Sequence, residues 1–425
     1  MQELRLSRKT ALAEGACVTV PPSKSLSNRA LLMAALGRGE CLVRNVLKSD
    51  DTERMLEALT ALGVTLTRLE DGAVMVHGQG GLFKASKPLT LDLGNAGTAM
   101  RPLCAALAFS EGTFTLTGEA RMLERPIGPL TEALKELGAS IEYLNNDGFP
   151  PLKIRGACPH SHSVHISGST SSQFVTALLM TGPLLEGGLE IRVQGDLISK
   201  PYVDLTLSLM QRFGAKVSRE GYVRFNVEGT GYVNPKEITV EGDASSASYF
   251  LALGALLGSL TVKGLGRNSV QGDVHFAGVL KKMGADITLH GESIEVKKSA
   301  LKGIDIDMND MPDAAMTLIP LALFTDGPVT VRNVASWRVK ETDRLSALAT
   351  EMAKLGVKVE QGADYLSVDG SVRNAVTPVF ATYNDHRMAM CLSLIAADRE
   401  VVIEDPDCCR KTFPGYFDIF DALTR

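Results

Sequence analysis

The sequence predicts an α/β protein of two similar domains, each built from three repeated strand–helix–strand–helix–strand–strand units. Three observations carry this reading. A capped, strongly apolar helical run recurs near Ser27, Gly97, Ser172, Ser246, Asp313 and Asp385, about 70 residues apart each time. An amphipathic helical run follows the first five: Glu53 to Gly63, Ile127 to Gly138, Tyr202 to Gly214, Asp273 to Gly284 and Thr342 to Gly356, each closing on a glycine placed where a positive φ is wanted. A short β-branched or alternating run comes after each glycine: Val64-Thr65-Leu66, Ser140 to Tyr143, Lys216-Val217, Asp286 to Leu289 and Val357-Lys358-Val359.

The elements follow from local chemistry. Cys17-Val18-Thr19-Val20 reads as a strand leading into Pro21-Pro22-Ser23-Lys24-Ser25-Leu26-Ser27-Asn28-Arg29, where Ser25 or Ser27 is placed to cap the helix that leaves it. Runs such as Phe174 to Met180 are apolar on most faces, which marks helices buried all round. The sixth amphipathic helix, Tyr416 to Leu423, is followed only by Thr424 and Arg425, so its closing strands have no sequence left. Leu4-Arg5-Leu6 and Cys17 to Val20 have no helices before them and are expected to complete that sixth unit. Residues 1–20 plus 241–425 then form one domain and residues 21–240 the other. Two strands cross between them as a hinge, and the cleft so formed is expected to close on ligands.

Bulk properties bound the function. The 425 residues are 45% hydrophobic and 22% charged, ordinary for a globular protein with a real core. A net charge of −5 excludes a nucleic-acid coat, so any basic site is local. Seven cysteines with no C-x-x-C pair read as reduced thiols, and the polar start Met1 to Arg8 has no secretory core, so the expected location is the cytoplasm. No run is apolar enough to span a membrane. His160-Ser161-His162-Ser163-Val164-His165 reads as an incidental His-rich segment and not a metal site, Gly264-Leu265-Gly266 as a turn, and Cys408-Cys409 as ordinary thiols.

The chemistry is gathered at helix starts. Lys24, Arg29, Arg125, Lys340, Arg344, Arg387 and Lys411 all stand within a turn or so of one, where a cation opposes the helix dipole at a cost of roughly 0.3–1 kcal/mol. Repeating that cost argues for anions bound among them, assisted by free backbone N–H groups. Gly94 and Gly97 let the backbone approach a ligand closely. Asp243 and Asp385 fit helix caps, whereas Asp313 and Glu341 are candidates for acid–base work beside the cations.

Four segments carry a resemblance: Pro22 to Arg29; Leu93-Gly94-Asn95-Ala96-Gly97-Thr98-Ala99-Met100-Arg101-Pro102; Trp337-Arg338-Val339-Lys340-Glu341-Thr342-Asp343-Arg344; and Tyr383-Asn384-Asp385-His386-Arg387-Met388-Ala389-Met390. Over essentially its whole length the chain resembles the 5-enolpyruvylshikimate-3-phosphate (EPSP) synthase family, in its bacterial, glyphosate-sensitive type. The resemblance implies the enolpyruvyl transferase fold and a cofactor-free, metal-free transfer of the carboxyvinyl group of phosphoenolpyruvate to the 5-hydroxyl of shikimate 3-phosphate. That reaction releases phosphate through a non-covalent tetrahedral adduct, on the route to chorismate and the aromatic amino acids. It places shikimate 3-phosphate on Lys24, Ser25, Arg29, Ser171, Ser172, Gln173, Ser199, Tyr202, Asp313, Ser336 and Lys340. It places phosphoenolpyruvate on Lys24, Asn95, Gly97, Arg125, Gln173, Arg344, Arg387 and Lys411. Asp313 is the implied base, Glu341 the implied acid, and Lys24 joins them as catalytic. Ser336 stands where many relatives have Asn, so its contact is direct or through water. Glyphosate is the implied inhibitor, and the chain is expected to be a monomer with no nucleic-acid or membrane partner. The alternatives are a nucleotide-sugar enolpyruvyl transferase, disfavoured because Gly118 to Arg125 holds no cysteine, and a non-catalytic phosphate-binding repeat protein, which has no use for Asp313 and Glu341.

Overall fold

A computed structural model describes residues 2–425. The chain divides into two compact units, one of residues 1–21 with 241–425 and one of residues 22–240, each with its own hydrophobic core.

The unit of residues 22–240 holds three four-stranded sheets of one design. In the second of them, Leu89–Asp92 runs parallel to Thr113–Thr117, Leu152–Arg155 pairs antiparallel on the other side, and Ser140–Tyr143 closes the edge. The helix between the first two strands, Gly97–Ala108, is buried along almost its whole length, and the helix before the hairpin, Gly128–Glu136, buries only one face. The same plan recurs around the buried helices Lys24–Leu36 and Ser172–Thr181. Leu, Ala, Met and Phe fill these helices on every side, and burial of that apolar area is the main stabilising term.

The other unit repeats the plan with local variation. Its first buried helix, Ala244–Leu257, is fully buried. The run expected near Asp313 folds as a mixed rod: a 3₁₀ turn Ala314–Thr317, one α turn Leu318–Leu321, then a 3₁₀ turn Ala322–Phe324. The last, His386–Leu392, likewise tightens into 3₁₀ over Ser393–Ala397. The amphipathic helices end as expected: Gly63, Gly138, Gly214, Gly284 and Gly356 all have φ between +71° and +106°.

One expectation is corrected. Glu3–Leu6 does join the sixth sheet, antiparallel to Val401–Glu404, but Cys17–Thr19 does not. It runs parallel to Leu260–Lys263 as the entry strand of the fourth sheet. The sixth sheet already has its entry strand in Val379–Phe380 and stops at three strands. Cys17–Thr19 is therefore separated from its own helix, Ala244–Leu257, by the entire 22–240 unit. Glu237–Thr239 is the matching entry strand of the first sheet, parallel to Arg38–Arg44, although its helix Lys24–Leu36 lies far earlier in sequence.

Candidate anion-binding and acid–base site

In the 22–240 unit the functional residues sit at the entrances of buried helices. The helix at Lys24 begins earlier than the serines predicted to cap it. Ser23 is its N-cap residue without a side-chain bond, and Ser27 Oγ instead accepts the N–H of Leu47 at 3.1 Å. Lys24 Nζ lies 3.0 Å from Asp51 Oδ2, with both side chains buried. Asp51 was not singled out from sequence; its place in the first turn after the cap residue Ser49 was the available signal. Ser25 is half-buried, and its carbonyl accepts from Arg29 Nη1 at 3.0 Å.

Arg29 is the clearest anion signal in this unit. It is 4% exposed, and Nε donates to Thr206 Oγ1 at 2.9 Å. Among the described residues no carboxylate lies within 4.0 Å of it. Burial pulls the guanidinium down to about 10. A buried cation without a carboxylate is costly until an anion joins it.

Asn95 holds Arg125 through both its backbone carbonyl, 3.1 Å, and its side-chain Oδ1, 2.9 Å from Arg125 Nη1. A Cβ on Gly97 would lie 2.9 Å from Arg101 Nη1 and 2.9 Å from Arg125 Nη2, so the glycine is what admits two buried guanidinium groups to this helix start. Ser171 caps its helix by accepting the N–H of Gln173 at 3.2 Å, and Ser172 is buried behind it. Ser199 is buried with φ +53°, a conformation that costs a non-glycine residue and recurs at functional positions. Tyr202, half-buried, follows in the first turn of Lys200–Arg212.

The other unit brings Asp313, Glu341, Arg344, Asp385 and Arg387 into one network. Arg344 is 1% exposed and donates in three directions: Nη1 to Asp313 Oδ1 at 3.0 Å, Nη2 to Glu341 Oε2 at 2.8 Å and Nε to Asp385 Oδ2 at 2.7 Å. Arg387 Nη2 reaches Asp313 Oδ2 at 3.1 Å, Arg387 Nη1 reaches the Tyr249 hydroxyl at 3.3 Å, and Lys340 Nζ stands 3.8 Å from Asp313. Burial pushes the Asp313 carboxyl up, but Arg387, Lys340 and Arg344 outweigh it and hold the group well below the usual carboxylate range. For Arg344, burial lowers proton affinity and the three carboxylates more than restore it.

Caps position this network. Asp385 accepts the N–H of Arg387 at 2.9 Å, so one carboxylate both starts the His386–Leu392 helix and holds Arg344. Asp343 caps Arg344–Ala353 by accepting the N–H of Ser346 at 3.2 Å, and Asp243 caps Ala244–Leu257. Trp337 is fully buried and donates Nε1 to the carbonyl of Pro312 at 2.6 Å, which pins the residue before Asp313 to the turn Ala335–Val339 that carries half-buried Ser336. Lys411 is buried at the end of a 3₁₀ turn, Pro406–Lys411, instead of opening a helix; the helix begins at Tyr416.

The remaining signals have local partners. His162 Nδ1 lies 3.2 Å from the Gly188 carbonyl and His165 Nδ1 lies 3.1 Å from Glu136. Among the described residues no cluster of His, Cys, Asp and Glu is arranged to hold a metal, and no helix is long and apolar enough to cross a membrane. The seven cysteines are free thiols.

With this geometry in view, the sequence profile of EPSP synthase (3-phosphoshikimate 1-carboxyvinyltransferase) matches residues 11–420. The chain belongs to the EPSP synthase family. The 3-phosphoshikimate 1-carboxyvinyltransferase of Shewanella denitrificans is 53% identical over 412 residues, 96% of each chain. That of Aeromonas salmonicida is 52% identical over 428 residues, the full length of both. Among solved structures, EPSP synthase from Acinetobacter baumannii matches with a TM-score of 0.82 at 25% identity, covering 100% of this chain and 98% of that one. The enolpyruvyl transferase NikO from Streptomyces tendae matches at 0.78 and 17% identity, covering 100% of this chain and 98% of that one, a likeness of fold. Membership of the EPSP synthase family makes the chain a transferase with the enolpyruvyl transferase fold.

Proposed function

We propose that this chain transfers the enolpyruvyl group of phosphoenolpyruvate to the 5-hydroxyl of shikimate 3-phosphate, releasing phosphate, as the penultimate step towards chorismate. The observation that carries the reading, beyond family membership, is the Asp313 environment. A carboxylate bonded to Arg344 and Arg387, with Lys340 3.8 Å away and Glu341 on the same Arg344, is more than a phosphate-binding surface needs.

Shikimate 3-phosphate is assigned to Lys24, Ser25, Arg29, Ser171, Ser172, Gln173, Ser199, Tyr202, Asp313, Ser336 and Lys340. Phosphoenolpyruvate is assigned to Lys24, Asn95, Gly97, Arg125, Gln173, Arg344, Arg387 and Lys411. Arg29 supports the first assignment, since its buried charge lacks a carboxylate. Arg387, Lys340 and Arg344 surround Asp313 and keep its proton affinity low. An anionic ligand that engages Arg344, Arg387 and Lys340 weakens that hold and raises the proton affinity of Asp313 towards the range useful to a base. Asp313 then takes the 5-hydroxyl proton as the carbon–oxygen bond forms, and Glu341 delivers a proton to the methylene carbon; the adduct next loses a proton from that methyl carbon as its bond to the phosphate oxygen breaks, which restores the double bond and frees phosphate. Glyphosate, itself an anion, occupies the Arg125, Arg344, Arg387 and Lys411 set beside shikimate 3-phosphate. The chain works as a cytoplasmic monomer.

The test is phosphate release from phosphoenolpyruvate with shikimate 3-phosphate as acceptor. Turnover supports the assignment; binding of both without turnover would leave only a phosphate-binding protein, and turnover with a nucleotide-sugar acceptor alone would move the chain to the other transferase class.

A further inference from the structure

Glu351 lies on the helix Arg344–Ala353, two turns beyond Arg344 on the same face, and is fully buried. Its carboxylate serves the segment that leads into Arg387. Oε2 accepts the N–H of Ala381 at 3.0 Å and Oε1 accepts the hydroxyl of Tyr383 at 2.8 Å. Lys354 Nζ sits 2.6 Å from Oε2 and also donates to the Val379 carbonyl at 2.8 Å.

What Glu351 holds is a strained turn. Tyr383 and Asn384 have φ of +55° and +52°, consecutive left-handed residues that are not glycine. In another repeat, the link between Leu89–Asp92 and Gly97–Ala108 places Gly94 at φ +53° and meets the same need with glycine. Without glycine the turn at 383–384 has to be held by its surroundings, and Glu351 grips it on both flanks of Thr382. The turn delivers Asp385 and Arg387 directly, and Asp385 returns to Arg344 at the head of the Glu351 helix. Tyr383 is exposed on one side; partial desolvation of its phenol and the Glu351 contact push it up to about 12, so it remains a donor at neutral pH.

We propose that Glu351 is a positioning residue for phosphoenolpyruvate binding: by bracing the turn Ala381 to Asn384 against the Arg344 helix, it sets the spacing of the Arg344 and Arg387 guanidinium groups. This rests on the reading that those two arginines hold phosphoenolpyruvate.

The test measures kcat and both KM values for the wild type, Glu351→Ala, Glu351→Gln and Tyr383→Phe. In Glu351→Ala the KM for phosphoenolpyruvate rises about tenfold, while that for shikimate 3-phosphate stays within about twofold. Glu351→Gln recovers most of the loss, because an amide oxygen still accepts the Ala381 N–H, and Tyr383→Phe falls between. A folded Glu351→Ala with unchanged phosphoenolpyruvate KM, or with both KM values rising together, overturns the inference. If Glu351→Ala does not fold, Tyr383→Phe decides by the same criterion. A wild type inactive on the substrate pair sinks the functional reading and this inference together; an active wild type with unchanged variants sinks the inference alone.

Discussion

Arg387 donates from Nη2 to Oδ2 of Asp313 across 3.1 Å, while Arg344 occupies the other carboxylate oxygen at 3.0 Å. The proposed base is thus clamped at both oxygens by cations assigned to a ligand. Asp313→Ala is expected to lower kcat by roughly 10²–10⁴-fold, a typical contribution of a general base, with far smaller changes in either KM. Steady-state kinetics checks this; a kcat within about threefold of wild type would remove Asp313 from its role.

The same clamp has a pH signature. The folded-state proton affinity of Asp313 lies below its unfolded value of about 3.9. Its contribution to stability is therefore present above about pH 3.9 and is lost as pH falls towards the folded value. Comparing wild type with Asp313→Asn by denaturant unfolding, the stability difference attributable to the charge shrinks steadily below about pH 4. A difference that stays constant across that range would count against the clamp.

At Gly97 the relevant neighbours are side-chain ends. An alanine Cβ would meet Arg101 Nη1 and Arg125 Nη2 at 2.9 Å each, and both guanidinium groups can swing away more readily than backbone. Gly97→Ala is expected to fold, with Arg125 displaced from Asn95. The KM for phosphoenolpyruvate should rise about tenfold, near 1.4 kcal/mol, while Tm moves only a few degrees. Calorimetry with shikimate 3-phosphate present should show glyphosate binding to the wild type and weaker binding to this variant; equal affinity for both would separate Gly97 from the anion set.

Much of this was legible in sequence because it is local. The capped apolar runs and the glycines closing the amphipathic helices report their own backbone, so Gly63 or Gly214 could be placed without knowing what they pack against. Strand partners were not local. Cys17–Thr19 reads as a strand, but its neighbour is Leu260–Lys263, and the intervening 22–240 unit hides that pairing. Polar side-chain partners were hidden for the same reason. Arg344 and Asp385 are 41 positions apart, and Arg29 and Thr206 are 177 apart. Asp385 looked like a cap and is one, but its second duty towards Arg344 depends on how two helices meet. The serine caps assigned at Ser25 or Ser27 failed because the helix starts before them, at Lys24.

Trp337→Phe isolates the Pro312 contact. The indole is fully buried and its Nε1–H donates to the Pro312 carbonyl at 2.6 Å; phenylalanine keeps an aromatic ring but leaves that carbonyl without the donor. The lost hydrogen bond and the smaller ring together should cost about 1–3 kcal/mol of stability. Because Pro312 precedes Asp313, kcat should fall as well, more than either KM changes, in a folded variant assayed well below its Tm.

Arg29 makes the opposite prediction about stability. Its guanidinium is buried beside Thr206 with no carboxylate within reach among the described residues, and burial has lowered its proton affinity to about 10 from an ordinary 12.5. Because the folded value is the lower one, the unfolded chain binds that proton more tightly, and at neutral pH the ligand-free fold carries the whole penalty of the buried charge. Arg29→Met fills similar space without the charge and is expected to stabilise the ligand-free protein, by about 1–3 kcal/mol. The gain comes with a loss: shikimate 3-phosphate raises the Tm of the wild type by mass action, and that rise should nearly vanish in the variant. Thermal shift with and without the ligand reads both effects. A ligand-induced rise in Arg29→Met equal to that of the wild type would mean that the buried charge at Arg29 is not there for the phosphate.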